Sequence, residues 1–112
     1  MSSAAAVPEL DVVLRALADR HRRAILEVVR AGPRPVGEIA DEVGVSQQTA
    51  SHHLGVLRSS GLVTGTREGT RHLFSVNTDG LAAVRDYVDG FWPAKLTALK
   101  SAVEARTGRR RG

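Results

Sequence analysis

The sequence predicts a mainly helical α+β domain, in the order α-α-α-α-β-β-α, with one small β-hairpin. Three observations carry this expectation. Apolar residues recur at steps of three and four as far as Leu57. The period then changes, and Leu62-Val63-Thr64 and His72-Leu73-Phe74-Ser75-Val76 have strand-like content around a glycine-containing connection. Helical spacing returns from Leu81 to Val103.

Leu10, Val13, Leu14 and Leu17 share one face of a first helix over about 8–18. Asp19 can cap a second helix that carries Ala24, Ile25, Val28 and Val29, and Ala31-Gly32-Pro33 stops it, with Gly32 as the expected C-terminal cap. A short third helix over about 36–43 turns Ile39, Ala40 and Val43 inward. Gly44-Val45 makes a turn, and Ser46 stands where its hydroxyl can satisfy free N–H groups of a fourth helix. Ala50, Leu54 and Leu57 share one face of that helix, and Gly61 closes it. Arg67-Glu68-Gly69-Thr70 is a good hairpin connection. Thr78 or Asp79 caps the last helix, whose stripe is Leu81, Val84, Val88, Trp92, Leu96, Leu99 and Val103. Gly90 and Pro93 should kink or split it.

The chain has 112 residues, room for one domain and one modest core. We expect a flexible leader over 1–8, the domain over 9–106 and a disordered basic tail over 107–112. Four aromatics, Phe74, Tyr87, Phe91 and Trp92, leave core building to Leu, Val, Ile and Ala. The absence of cysteine removes disulfides, thiolate metal sites and cysteine nucleophiles. No apolar run approaches the roughly 20 residues of a membrane span, and the start lacks a basic signal-peptide region, so a cytoplasmic location is expected. The net charge of +4 is unevenly placed: ten basic against eleven acidic residues up to Gly90, then six against one from Phe91 onward. Contact with DNA therefore needs a local basic face rather than bulk charge.

A short helix, a glycine turn and a capped second helix are the parts of a helix-turn-helix, whose second helix enters the major groove. The fourth helix, over 46–60, offers Gln47, Gln48, Ser51, His52 and Gly55 outward. Glutamine can pair bidentately with adenine, and serine or threonine can meet several base edges. Ser46 and the helix N-terminus suit a phosphate. No carboxylate lies between Ser46 and Arg67. The hairpin, over 62–76, adds a wing whose Arg67 and Arg71 flank the tip and can reach a phosphate or a minor groove, with Glu68 an awkward neighbour. Ser46, Gln47, Gln48, Thr49, Ser51, His52, His53, Arg58, Arg67 and Arg71 are the candidate DNA contacts. His53 can instead pack beside Leu54 and Leu57, and Arg58 can be simply solvated. His21 and His72 read as surface residues.

The run from Val36-Gly37-Glu38-Ile39-Ala40 through Val45-Ser46-Gln47-Gln48-Thr49-Ala50-Ser51-His52-His53-Leu54 to Gly61-Leu62-Val63 resembles the ArsR-type (arsenic-repressor-like) winged-helix regulators. Thr49, Ser51, His53, Leu54, Leu57, Gly61, Leu62 and Val63 fall on the family pattern. Leu17-Ala18-Asp19, with Arg22-Arg23 and Ile25-Leu26, resembles its second-helix entry, with Arg20 in place of a commonly seen proline or serine. Gly69-Thr70-Arg71-His72 fits the wing. The similarity covers about 10–76. It implies a homodimeric repressor on an inverted-repeat operator, nucleoid-associated when bound, displaced by a signal that an unknown small-molecule effector could supply. Many family members sense metals through third-helix cysteines or Asp/His pairs on the last helix. Here the third helix reads Glu38-Ile39-Ala40-Asp41, and the last carries Asp79, Asp86, Asp89 and Glu104 but no histidine. This resembles the subset without a recognised metal site, so neither a metal nor a cofactor is expected.

Adjacent His52 and His53 point about 100° apart on a helix and do not readily chelate one ion. The long C-terminal stripe exceeds what one small domain can cover. With Leu10 and Leu14, residues Leu81, Val84, Val88, Trp92, Leu96 and Leu99 are expected to form a dimer interface. Trp92 beside Pro93 could also line an effector pocket. An alternative function is a winged-helix protein-interaction module with weak or nonspecific DNA binding. An enzyme is not expected, because Ser46, Ser51 and His53 lack a third catalytic member and a cleft.

Overall fold

The computed structural model describes residues 7–93 and 101–105. Of the leader expected over 1–8, residues 7 and 8 form the start of helix α1 and the rest lie outside the described residues, as do the tail over 107–112, Leu96 and Leu99. Helix α1 (Val7–Leu17) is followed by α2 (Arg20–Arg30), strand β1 (Arg34–Pro35), α3 (Val36–Val43) and α4 (Gln47–Ser59). The hairpin strands β2 (Val63–Glu68) and β3 (Arg71–Val76) come next, then a 3₁₀ turn (Thr78–Leu81) and α5 (Ala82–Asp89).

Each helix in the first half ends for an identifiable local reason. Asp19 has extended backbone, and its carboxylate accepts from the N–H groups of His21 and Arg22 at 2.8 and 3.1 Å, starting α2. Ala31, still right-handed, is the C-terminal cap of α2. The expected cap, Gly32, lies one residue beyond it. Gly44 (φ 80°) ends α3 by donating its N–H to the Ala40 carbonyl at 2.8 Å, in the left-handed conformation that glycine adopts without steric cost. Ser46 then caps α4 through the N–H of Thr49.

The sheet has three strands in the order β1-β3-β2, all antiparallel. Strand β1 was not anticipated: two residues are too few to show a period, and its Pro35 sits on an edge strand, where a missing N–H is tolerated. The hairpin is tighter than expected, because pairing runs from Val63–Val76 to Glu68–Arg71 and leaves only Gly69-Thr70 to turn. Left-handed Gly69 (φ 64°) suits such a two-residue turn.

One core joins these parts. Val13 and Ala16 of α1, Ile25 and Val29 of α2, Ile39 of α3, Leu54 and Leu57 of α4, and Leu62, Val63 and Phe74 are all buried. Side chains of this size contribute about 1.5–3 kcal/mol each when fully buried, so Ile25, Ile39, Leu54 and Leu57 hold α2, α3 and α4 in one fixed arrangement.

The C-terminal part departs most from expectation. Neither Thr78 nor Asp79 caps a helix. Asn77 holds the position before the 3₁₀ turn and spends its amide on the Gly61 carbonyl at 3.0 Å. Gly80 lies so close to that same carbonyl that a Cβ there would collide with it. Helix α5 stops at Asp89 and a turn follows, so Gly90 ends the helix; 101–105 is helical again. Among the described residues no helix is long and apolar enough to cross a membrane.

Candidate nucleic-acid interface

Helix α4 sorts its residues sharply. Ala50, His53, Leu54 and Leu57 are buried, while Ser46, Gln47, Gln48, Thr49, Ser51, His52, Gly55 and Arg58 are exposed. The polar group is concentrated in the first two turns. Within it, Ser46 Oγ accepts from the Thr49 N–H and donates to Thr49 Oγ1, both at 3.0 Å. Those two hydroxyls therefore fix the start of the helix. Gln47 turns back toward α3, where the missing side chain of Gly37 leaves room for its amide. Gln48, Ser51 and His52 remain as the unencumbered outward set, and Arg58 stands two turns further along. No acidic residue occurs in α4 to oppose a phosphate backbone.

His53 does not belong to that set. It is 8% exposed and turned inward, with its Nδ1 3.4 Å from the Arg22 guanidinium. The side chain can face Arg22 because position 53 lies between the apolar positions 50, 54 and 57 on the buried side of α4. Burial pushes its imidazole below the ordinary histidine range; the Asp19 carboxylate opposes this and Arg22 adds to it. Arg22 also donates from Nε to the Ala16 carbonyl at 2.7 Å and from Nη2 to the Arg15 carbonyl at 3.1 Å. It thus fastens the last turn of α1 to α4. The Arg22 N–H bond is the main reason the Asp19 carboxyl titrates below its usual range; partial burial opposes this and the His21 N–H reinforces it. The sequence marks Arg22 only as part of the second-helix entry; its bonds to the α1 carbonyls and to His53 appear only in the fold.

The wing arginines separate. Cross-strand pairs share a face, so Arg67 lies with His72 on one side of the ribbon and Arg71 with Glu68 on the other. Arg71 is 3.6 Å from Glu38 of α3, which also pairs with Arg34 at 3.5 Å. Arg34 makes its shortest contact with Glu42, at 2.7 Å. Arg67 makes no ion pair with any described residue and is the freer of the two to meet a phosphate.

A second exposed feature is apolar. Leu14 of α1 is 40% exposed, Val88 39%, Trp92 48% and Phe91 69%. Helices α1 and α5 touch, and Phe91 and Trp92 follow closely after α5. Tyr87 and Phe91, one turn apart, meet edge to face with ring centres 5.0 Å apart, and neither had been expected there. Leu10 is half-buried. Leu81 and Val84 pack against the protein's own core, which places them behind the exposed stripe.

Similarity to known proteins follows the same boundaries. A helix-turn-helix domain family matches residues 17–66. The chain is 40% identical over 95 residues to the HTH-type transcriptional regulator Rv2034 of Mycobacterium tuberculosis, covering 85% of this chain and 89% of that one. It is 30% identical over 81 residues to the arsenical resistance operon repressor of Staphylococcus xylosus, covering 72% and 78%. Among solved structures it resembles the homodimeric winged helix-turn-helix DNA-binding domain of Mb0332 from Mycobacterium bovis, described as a possible ArsR-family transcriptional regulator. That match has 36% identity and a TM-score of 0.67, and covers 78% of this chain and 81% of the other. An ArsR-like transcriptional regulator from Rhodococcus matches with 26% identity and a TM-score of 0.69, over 88% and 95%. With its buried α2–α3–α4 core, exposed α4 N-terminus and hairpin wing, this chain belongs to the ArsR-type family of winged helix-turn-helix, DNA-binding transcriptional regulators.

Proposed function

We propose that the protein is a homodimeric repressor that reads an inverted repeat, one half-site per protomer, through the N-terminal half of α4. The observation that carries this reading is the division of α4 between a buried apolar face and an exposed carboxylate-free polar face. In this reading Gln48, Ser51 and His52 meet base edges, while Ser46, Gln47 and Thr49 set the helix start against the backbone. Arg58 and Arg67 reach phosphates, and Arg71 does so from its ion pair with Glu38. His53 supports the helix from behind.

The exposed stripe of Leu14, Val88 and Trp92, extended by Tyr87 and Phe91, supplies the self-complementary surface for a two-fold dimer. Leu96 and Leu99 would continue its helical spacing in sequence. The Mycobacterium bovis relative is homodimeric, and the staphylococcal relative is a repressor, which supports both parts of the reading. Such a protein works in the cytoplasm, on the nucleoid.

Selection from a random DNA pool with the tag-free protein tests this. The expected result is an inverted repeat with half-sites about 10–11 base pairs apart. Recovery of no motif, with binding that disappears in modest salt, would overturn it.

A further inference from the structure

We propose that Asp19, His21 and His53 form a binding site for a divalent first-row transition metal of the zinc class. Two distant segments supply the three residues: Asp19 caps α2 and His21 lies in its first turn, while His53 lies mid-way along α4. The fold brings one ligand atom from each to within 4.8 Å of the others, and no other such group of three occurs among the described residues. The His21 and His53 ring centres are 5.8 Å apart.

The donor set decides the class of ion. Two imidazoles and one carboxylate suit Zn(II), Co(II) or Ni(II), whereas Mg(II) and Ca(II) prefer oxygen ligands throughout. A tetrahedral ion with bonds of about 2.0–2.2 Å holds its ligand atoms roughly 3.3 Å apart. Closing from 4.8 Å asks for side-chain rotation, and the partly exposed His21 is the ligand to move, because the Asp19 carboxylate is held by its cap bonds. Asp19 spends Oδ1 on the two N–H groups of the cap and keeps Oδ2 available. Three protein ligands leave a fourth position for water.

Arg22 is the competing cation. Its Nη1 stands 3.4 Å from His53 Nδ1 and 4.0 Å from Asp19 Oδ2, both long contacts. Its two shorter bonds go to carbonyls of α1 and do not involve the ligands. Because the guanidinium is planar and rigid, a dication must turn the whole group aside and break those two carbonyl bonds as well. His52 is exposed and is not one of the three residues whose ligand atoms come together, although its ring centre lies 5.6 Å from that of His53. An ion held here would tie the first turn of α2 to α4, two residues from Ser51. The site itself does not depend on what α4 binds.

Titration of the tag-free, chelator-treated protein with Co(II) tests the proposal, followed by competition with Zn(II). One equivalent of Co(II) per chain should bind with the intense visible bands of a tetrahedral site, and Zn(II) should abolish them. Changes one shell away from a metal already cost about 10–100-fold in affinity, so loss of the His21 ligand in His21→Ala should cost at least about 100-fold. Asp19→Asn, which keeps a capping side chain while removing the carboxylate, should also weaken binding strongly with the fold intact by circular dichroism. His52→Ala should bind as the parent does. Absence of saturable binding, or undiminished affinity in His21→Ala or Asp19→Asn, would overturn the site.

Discussion

Helices α4 and α5 present the same kind of sequence, an apolar stripe at helical spacing, and meet opposite fates. In α4 the stripe vanishes into the core: Ala50, Leu54 and Leu57 are at most 1% exposed. In α5 no residue is buried, and Tyr87, Val88, Phe91 and Trp92 at its end stand open. The difference is one of neighbours. Helix α4 is flanked by α2, α3 and β2, whereas α5 packs mainly on α1 and on the 3₁₀ turn before it. A periodic stripe therefore states that something must cover it, and the neighbours decide whether that is the same chain. The α4 stripe positions a polar face; the α5 stripe leads into an exposed apolar surface, the one proposed to meet a second copy.

The comparison breaks first in the core. Leu57→Ala should destabilise the protein by about 2–5 kcal/mol, read from urea unfolding at fixed protein concentration, because the surrounding helices cannot collapse into the space. A loss well below 1 kcal/mol would mean that α4 is held by something other than its stripe. On the outer face of the same helix, Gln48→Ala combined with Ser51→Ala should cost roughly 2–5 kcal/mol of specific DNA affinity, at about 1–3 per base contact. Unfolding should be nearly unchanged. Undiminished specific affinity would remove the outward face of α4 from the interface.

In the other region, Trp92→Ala should weaken self-association by about 2 kcal/mol, the scale of a central anchor, measured by sedimentation equilibrium. The monomer's helical content should survive, since Trp92 is half exposed. A dimer of full strength would place the interface elsewhere. The smallest effect belongs to Ser46→Ala, which leaves the Thr49 N–H without its acceptor and should cost about 1 kcal/mol in thermal unfolding. Its effect on DNA affinity should exceed that of substituting another exposed serine, Ser59, because the start of α4 is where the outward set sits.

How much was legible in advance varied with the length scale of the cause. The limits of α3, the cap at Ser46 and the buried positions 50, 54 and 57 could all be read from spacing, since each depends on residues within one or two turns. The outward polar set followed from the same periodicity. The residues that spacing misplaced are those on which distant elements act. His53 lies on the family's motif and was grouped with DNA contacts, yet Arg22, 31 positions earlier, meets it on the buried side. Arg67 and Arg71 look like a pair in sequence; the register of the hairpin puts them on opposite faces. Leu81 and Val84 read as one stripe with Val88 and Trp92, but the turn anchored by Asn77 and Gly80 on Gly61 rolls the first two toward the core.

The sequence by itself therefore determined the class of fold, the helix-turn-helix and its polar face, because periodicity, caps and turn glycines act locally. Only the tertiary structure decided which stripe stays open, which arginine is already paired, and that Asp19, His21 and His53 share one corner. Those outcomes depend on how helices far apart in the chain cross, and the crossing is set by the shared core of Ile25, Ile39, Leu54 and Leu57 rather than by any one segment.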